Sequence, residues 1–271
     1  VYIYCKFFES FIAFLLFFSF NIYAQTNSFV LQSTTSSRDS GLLSYLLPIF
    51  HQSHNIKIKV VATGTGQALR NAKDCNADLL LVHSKNDEIK FISDGYGLSR
   101  HYLMHNDYVI VGPSANEAKV YSSDAAKTVF FKIKQSGVKF ISRADDSGTN
   151  KKELSLWSLY GHNTETFNSK WYIESGQGMG ATLNIAIGMN AYTFTDRSTW
   201  LRFNNKNNHQ ILYESRDNFK NIYSLVTLNH DTCPNTKTKL VGVFMDWILS
   251  IKGAELINAY LINGNQVFYT D

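Results

Sequence analysis

The sequence predicts an α/β fold with a largely parallel sheet, and three observations lead there. Short β-branched runs alternate with stretches whose apolar residues recur at helical spacing. Several of these runs end in loops of Ser, Thr and Gly that open directly into a helix. Proline is scarce, and no repeat or low-complexity tract interrupts the alternation. A βαβα order of this kind is met where helices cover a parallel sheet.

The elements follow in order. Phe7 to Phe20 is apolar and aromatic with only Glu9 as a charge, preceded by Lys6 and followed by Ile22-Tyr23-Ala24. Residues 1–24 therefore read as a signal peptide cleaved before Gln25, the apolar run being short for a membrane span. Phe29 to Gln32 is a short strand, and Gly41 to His51 places Leu42, Leu43, Leu46, Leu47 and Phe50 on one helix face. Ile56 to Ala62 alternates as a strand, Gln67 to Lys73 is helical, Ala77 to Val82 is a buried strand, and Lys85 to Ser93 is an amphipathic helix. Tyr108 to Val111 is a strand that stops at Gly112-Pro113. Helices at 123–135 and 148–160 flank a strand at 138–142. A helix at 178–188, a strand at 191–194 and a short helix at 197–201 follow. Ile222 to Leu228 is a late strand, and helices at 238–250 and 254–261 close the chain.

The chain of 271 residues is long enough for two lobes. No flexible linker separates them, so the chain is expected to cross between lobes on strands, at 106–112 and 221–229. The first lobe is then discontinuous: residues 25–109 with 225–271, against 110–224 for the second. A composition of 44% hydrophobic and 18% charged residues excludes a disordered chain. The formal charge of +4, without a long Lys/Arg run, gives no sign of nucleic-acid binding. Cys75 and Cys233 lie beyond the signal region. An oxidising compartment would permit a bond, but neither sits in a recognisable framework, and they read as two unpaired thiols.

The strand-to-helix loops carry the chemistry. Four are present: Ser33-Thr34-Thr35-Ser36, Thr63-Gly64-Thr65-Gly66, Arg143 to Thr149 (RADDSGT), and Ser175 to Ala181 (SGQGMGA). Each exposes unpaired N–H groups at the positive end of a helix dipole. Small residues let an anion approach, and hydroxyls add donors. Arg143 can give several N–H donors to one oxyanion, and Asp145 can pair with Arg143 and fix its direction. Taken singly, each loop also fits an ordinary helix cap. The second loop lacks the following Lys-Ser/Thr of a nucleotide site. His101 and His105 have helical metal spacing but no intervening Glu, so no metal is expected there. A serine nucleophile at Ser36 or Ser147 would need a histidine within reach. None lies inside the loops, and Ser147 lacks the Gly-x-Ser-x-Gly elbow.

Read together, these loops resemble the periplasmic tungstate-binding proteins of tungstate ABC transporters. The matching stretches are STTSSRDSGLLSYLLPIF, VVATGTGQALRNAKDCNADLLLVH, HNDYVIVGP, KFISRADDSGTNKKELSLW, WYIESGQGMGATLNIA and YTFTDRSTWL. The resemblance implies a two-lobed type II periplasmic binding-protein fold with a ligand cleft between the lobes. It implies capture of tungstate or molybdate and delivery to an ABC transporter permease, with no catalysis and no cofactor. By motif, Thr34, Thr35 and Ser36 fall in the first oxyanion loop and Thr65 and Gly66 in the second. Arg143, Ser147 and Gly148 fall in the third, and Gly178 and Met179 in the fourth. The chain departs from the family at Asn150, where His is common, and at Ser37, where Thr is common. A monomeric, periplasmic protein is expected. The third loop is also similar to that of phosphate-binding proteins, which makes phosphate or sulfate the rival ligand. A carboxylate facing the ligand would suit hydrogen phosphate, so the tungstate reading requires Asp145 to turn toward Arg143 or toward backbone N–H groups.

Overall fold

The computed structural model describes residues 27–215 and 217–271. The signal-peptide reading of residues 1–24 lies outside them. The chain opens with strand β1 (Ser28–Thr34), helices α1 (Thr35–Asp39) and α2 (Leu42–His54), β2 (Lys57–Thr63), α3 (Thr65–Lys73), β3 (Leu79–Val82) and α4 (Lys85–Ser93). A long strand β4 (Gly97–Pro113) leads to α5 (Ala126–Ser136), β5 (Phe140–Ser142), α6 (Gly148–Leu159), β6 (Tyr172–Glu174), α7 (Met179–Gly188), β7 (Tyr192–Asp196) and α8 (Arg197–Arg202). The chain ends with β8 (His209–Glu214), β9 (Lys220–Leu228), α9 (Thr238–Ile248), α10 (Ile251–Ala259) and a small hairpin, β10 (Leu261–Ile262) with β11 (Asn265–Gln266).

The strands run in the order β2-β1-β3-β9-β4-β7-β5-β6, with β8 also on β4. Pairs β1–β2, β1–β3, β5–β6 and β5–β7 are parallel. Every pair made by β4 or β9 is antiparallel. The sheet is thus mixed, which corrects the expectation of a largely parallel one. The reason is β4, whose 17 residues serve both halves of the molecule. From Gly97 to Asp107 it pairs with β9, and from Tyr108 onward it pairs with β7 and β8. Where it changes partners, the Tyr108 N–H donates to the Phe219 carbonyl at 2.8 Å, so β9 accompanies it across.

Side-chain alternation builds a core on each face. In β3, Leu79 and Leu81 join Phe29, Leu42, Phe50, Phe244 and Ile248 under α2 and α9. Leu80 and Val82 point the other way, to Ala68, Ala72 and Phe91 of α3 and α4. Past the exchange of partners, Tyr108 and Ile110 of β4 pack with Phe130, Phe140, Trp157 and Phe219, while Val109 and Val111 meet Met179, Leu183 and Trp200. The strands therefore end in two separately packed lobes. The loops at the C-terminal ends of β1, β2 and β5 open onto the space between them.

Cys75 and Cys233 form a disulfide, with Cα atoms 5.4 Å apart, which overturns the reading of two free thiols. The β3–β9 pairing, with Leu79 opposite Thr227, brings together two residues that stand 158 positions apart. No local pattern records such a partnership. Closing so long a loop restricts the unfolded chain, and loss of the bond in Cys75→Ser or Cys233→Ser should cost about 2–4 kcal/mol. Urea unfolding of each variant and of the reduced wild type should give matching losses. Unchanged midpoints would refute the bond's contribution.

Candidate functional site

The third loop leaves β5 in a conformation that L residues seldom adopt. Ala144 and Asp146 have φ of 47° and 56°, the left-handed region that costs a non-glycine residue about 1–2 kcal/mol. Strain of this kind persists where the surroundings over-determine it. Here it turns Arg143 into the interior, where only 1% of the residue is exposed. Its Nη2 donates to Asp145 Oδ2 at 2.5 Å and to Thr35 Oγ1 at 3.5 Å, and Nη1 donates to Thr149 Oγ1 at 3.5 Å. The second oxygen of Asp145 accepts the Ser147 N–H at 3.3 Å. Asp145 is thus turned toward both the guanidinium and a backbone N–H.

Three helix N-termini gather around this pair. Thr34 caps α1 by accepting the Ser37 N–H, and Ser147 caps α6 by accepting the Asn150 N–H. Gly64 precedes α3, and a Cβ there would lie 3.4 Å from the Asp145 carbonyl oxygen. Each N-terminus carries roughly half a positive charge. Among the described residues, Thr65 Oγ1 and Arg143 Nε are buried without a hydrogen-bond partner. Buried donors are ordinarily satisfied, and these two belong to the second and third loops. A tetrahedral oxyanion has acceptors for both. Gly148 allows close packing as well, since a Cβ there would come 2.5 Å from the His83 ring.

The fourth loop is joined to the third through Ser175. Its hydroxyl donates to the Arg143 carbonyl at 3.2 Å, and its N–H to the Ser142 carbonyl at 2.9 Å. Gly178 is the N-cap of α7. The Met179 side chain is buried in the apolar cluster with Val109 and Trp200. Its backbone N–H, in the first turn of α7, is the part suited to an anion.

Two participants escaped the sequence reading. His83, one residue past β3, lies with Nε2 3.4 Å from Ser36 Oγ and Nδ1 3.0 Å from the Tyr108 hydroxyl. Asp196, wholly buried, caps α8 by accepting from the Ser198 hydroxyl, the Thr199 N–H and the Thr199 hydroxyl. A chain of bonds joins them. Asn106 Nδ2 donates to Ser198 Oγ, Asn221 Nδ2 donates to Asn106 Oδ1, and the Tyr108 hydroxyl donates to Asn221 Oδ1. The Tyr108 oxygen is then the acceptor for His83 Nδ1–H, and Nε2 accepts from Ser36. Ser36 thus spends its hydroxyl hydrogen on His83, and its N–H lies in the first turn of α1. Burial, then the charge of Arg143, pushes His83 down to about 3. A base that weak is poorly suited to activating Ser36 near neutral pH.

Two α/β lobes on crossing strands, with a buried arginine and converging helix N-termini between them, define a solute-binding protein for a small anion. A sequence model of the PBP superfamily domain matches residues 22–252. The chain is 43% identical over 235 residues to the tungstate-binding protein TupA of Peptoclostridium acidaminophilum, covering 86% of this chain and 81% of that protein. The tungstate ABC transporter structure from Geobacter sulfurreducens superposes with a TM-score of 0.78 at 37% identity, covering 86% of this chain and 98% of the other. The tungstate-binding protein TupA from Desulfovibrio alaskensis G20 superposes equally well, 0.78 at 34% identity, over 90% and 98% of the two chains. The chain belongs to the PBP superfamily and, within it, to the family of the TupA proteins.

Two buried groups oppose each other in pH dependence. Neutral in the folded chain and titrating near 6.5 when unfolded, His83 contributes stability that is complete above pH 6.5 and lost as pH falls toward 3. Burial pushes Glu153, held by Ser142, Tyr172 and Trp157, up to about 7. Its cost therefore grows as pH rises from 4.5 to 7. Between pH 7 and 5, His83→Gln should remove a loss of roughly 2 kcal/mol, and Glu153→Gln should steepen the loss. Urea unfolding at the two pH values measures both, and parallel slopes in all three proteins would contradict this account.

Proposed function

We propose that this chain is an extracytoplasmic, periplasmic solute-binding protein that captures tungstate, with molybdate as a companion ligand, and delivers it to the permease of an ABC transporter. The direction of Asp145 carries the choice of anion. Both its oxygens are engaged, by Arg143 and by the Ser147 N–H. Asp145 is therefore turned toward protein donors, and the loops that line the cleft offer chiefly donors. That suits a fully deprotonated tetrahedral dianion, whereas hydrogen phosphate would bring a hydroxyl in need of an acceptor. The relatives at 43%, 37% and 34% identity are named for tungstate, which supports the same choice over sulfate.

In this reading Arg143, Thr35, Thr65 and Thr149 supply side-chain donors. The first turns of α1, α3, α6 and α7 supply N–H groups, from the segments holding Thr34, Ser36, Thr65, Gly148, Gly178 and Met179, while the Gly66 and Ser147 N–H groups are engaged by the Asp146 carbonyl and by Asp145. The two lobes, 25–109 with 225–271 and 110–224, close about β4 and β9. An anion bonded from both lobes favours the closed state by its differential affinity. The chemistry ends at binding and release, and the protein works as a monomer.

Thermal unfolding with tungstate, molybdate, sulfate and phosphate at equal concentration tests the reading, because a ligand of the folded state alone raises stability with its affinity. Tungstate and molybdate should give large shifts, and sulfate and phosphate small ones. A shift with phosphate alone would transfer the assignment to the rival anion. By calorimetry, Arg143→Ala should weaken tungstate binding about a hundredfold or more. Thr65→Val, which deletes one hydroxyl donor, should weaken it about fivefold.

A further inference from the structure

A second set of bonds crosses between the lobes at the mouth of the cleft, outside the donor set. Asp146, on the third loop, receives Arg70 Nη1 of α3 at 2.9 Å on Oδ2 and lies 3.0 Å from Lys151 Nζ through Oδ1. Lys151, on α6, also donates to Asp87 of α4 at 2.6 Å. The Asp146 carbonyl accepts the Gly66 N–H at 3.2 Å. Arg70, Gly66 and Asp87 belong to the lobe of β1 to β3, and Asp146 and Lys151 to the other. Together they line a cavity of about 190 Å³. Burial works against the ionised Asp146, yet Arg70 and Lys151 hold its carboxyl below the usual range. Gly66 is fitted to this arrangement. A Cβ on it would come 1.8 Å from Asp146 Oδ2, and its three nearest atoms all belong to that carboxyl group.

We propose that Asp146, Arg70, Lys151 and Asp87 form a clasp that sets how long the anion is held, and that residue 66 is glycine to let the clasp close. The proposal rests on the oxyanion-receptor reading. Bonds that span the cleft exist only with the lobes together, so they act on dissociation and leave entry unchanged. Arg70 and Asp146 are about half exposed, with side-chain exposures of 57% and 45%. Such pairs are individually weak, each worth about a two- to fivefold change, and screened by salt. The third loop carries both ends of the device: Arg143 reaches the anion, and Asp146, three residues on, reaches the opposite lobe.

Stopped-flow tryptophan fluorescence with tungstate on the full chain tests the clasp. Asp146→Gly removes the carboxylate and suits the positive φ at that position. It should raise the dissociation rate about five- to tenfold and leave the association rate within about twofold. Sodium chloride at 1 M should raise the wild-type dissociation rate toward that of the variant and leave the variant unchanged. Gly66→Ala should also speed release. An unchanged dissociation rate in Asp146→Gly, or an effect confined to association, overturns the clasp while leaving the receptor reading intact. A wild-type protein that binds no oxyanion overturns both.

Discussion

Placing a guanidinium in the interior costs several kcal/mol unless partners replace water around it. Arg143 is that group here, and the surrounding structure is arranged to satisfy it. Asp145 neutralises its charge from two residues away, with two hydroxyls, from Thr35 and Thr149, nearby. The left-handed turns at Ala144 and Asp146 hold the loop that makes this geometry. Nε is left over, buried without a partner, as is the Thr65 hydroxyl of the second loop. In the proposed site, because Asp145 cancels the formal charge, attraction for a dianion would fall to dipoles: N–H groups, hydroxyls and helix N-termini already in place. Fixed dipoles in a dry site require no rearrangement when charge arrives, and they discriminate by geometry more than by charge alone.

The loops were legible because their chemistry is local. Thr34 and Ser147 cap helices that start at the next residue, and Asp145 lies two positions from the arginine it pairs with. Elements whose cause is distant were not legible. Only Tyr108 to Val111 of β4 stood out as a strand. The half from Gly97 to Asp107 is polar and interrupted by register shifts at Gly97/Ser99 and Tyr102/Met104, and its partner β9 comes more than a hundred residues later. The Cys75–Cys233 bond depends on that same long-range pairing. His83 carried one faint signal, a polar ring just beyond a buried strand, at the strand end where the strand-to-helix loops gather. Its partners Ser36 and Tyr108 are brought to it only by the finished fold.

The crossing strands carry polar groups where a core would ordinarily be apolar. Asn106, Tyr108, Asn221 and Tyr223 bond to one another where β4 changes partners, and the chain of bonds reaches Asp196 at one end and Ser36 at the other. A hydrophobic contact there would tolerate sliding. Directional bonds among buried amides and hydroxyls do not, because each displacement leaves a donor unsatisfied. The connection between lobes is thereby held to a narrow set of arrangements.

The disulfide has a topological consequence. Cys75 and Cys233 both belong to the lobe of β1 to β3, and the whole second lobe lies in sequence between them. That lobe is a covalently closed loop emerging from a stapled base. A proteolytic cut anywhere inside it leaves both ends of the chain tethered to one body. Such a cut therefore releases no fragment while the disulfide holds.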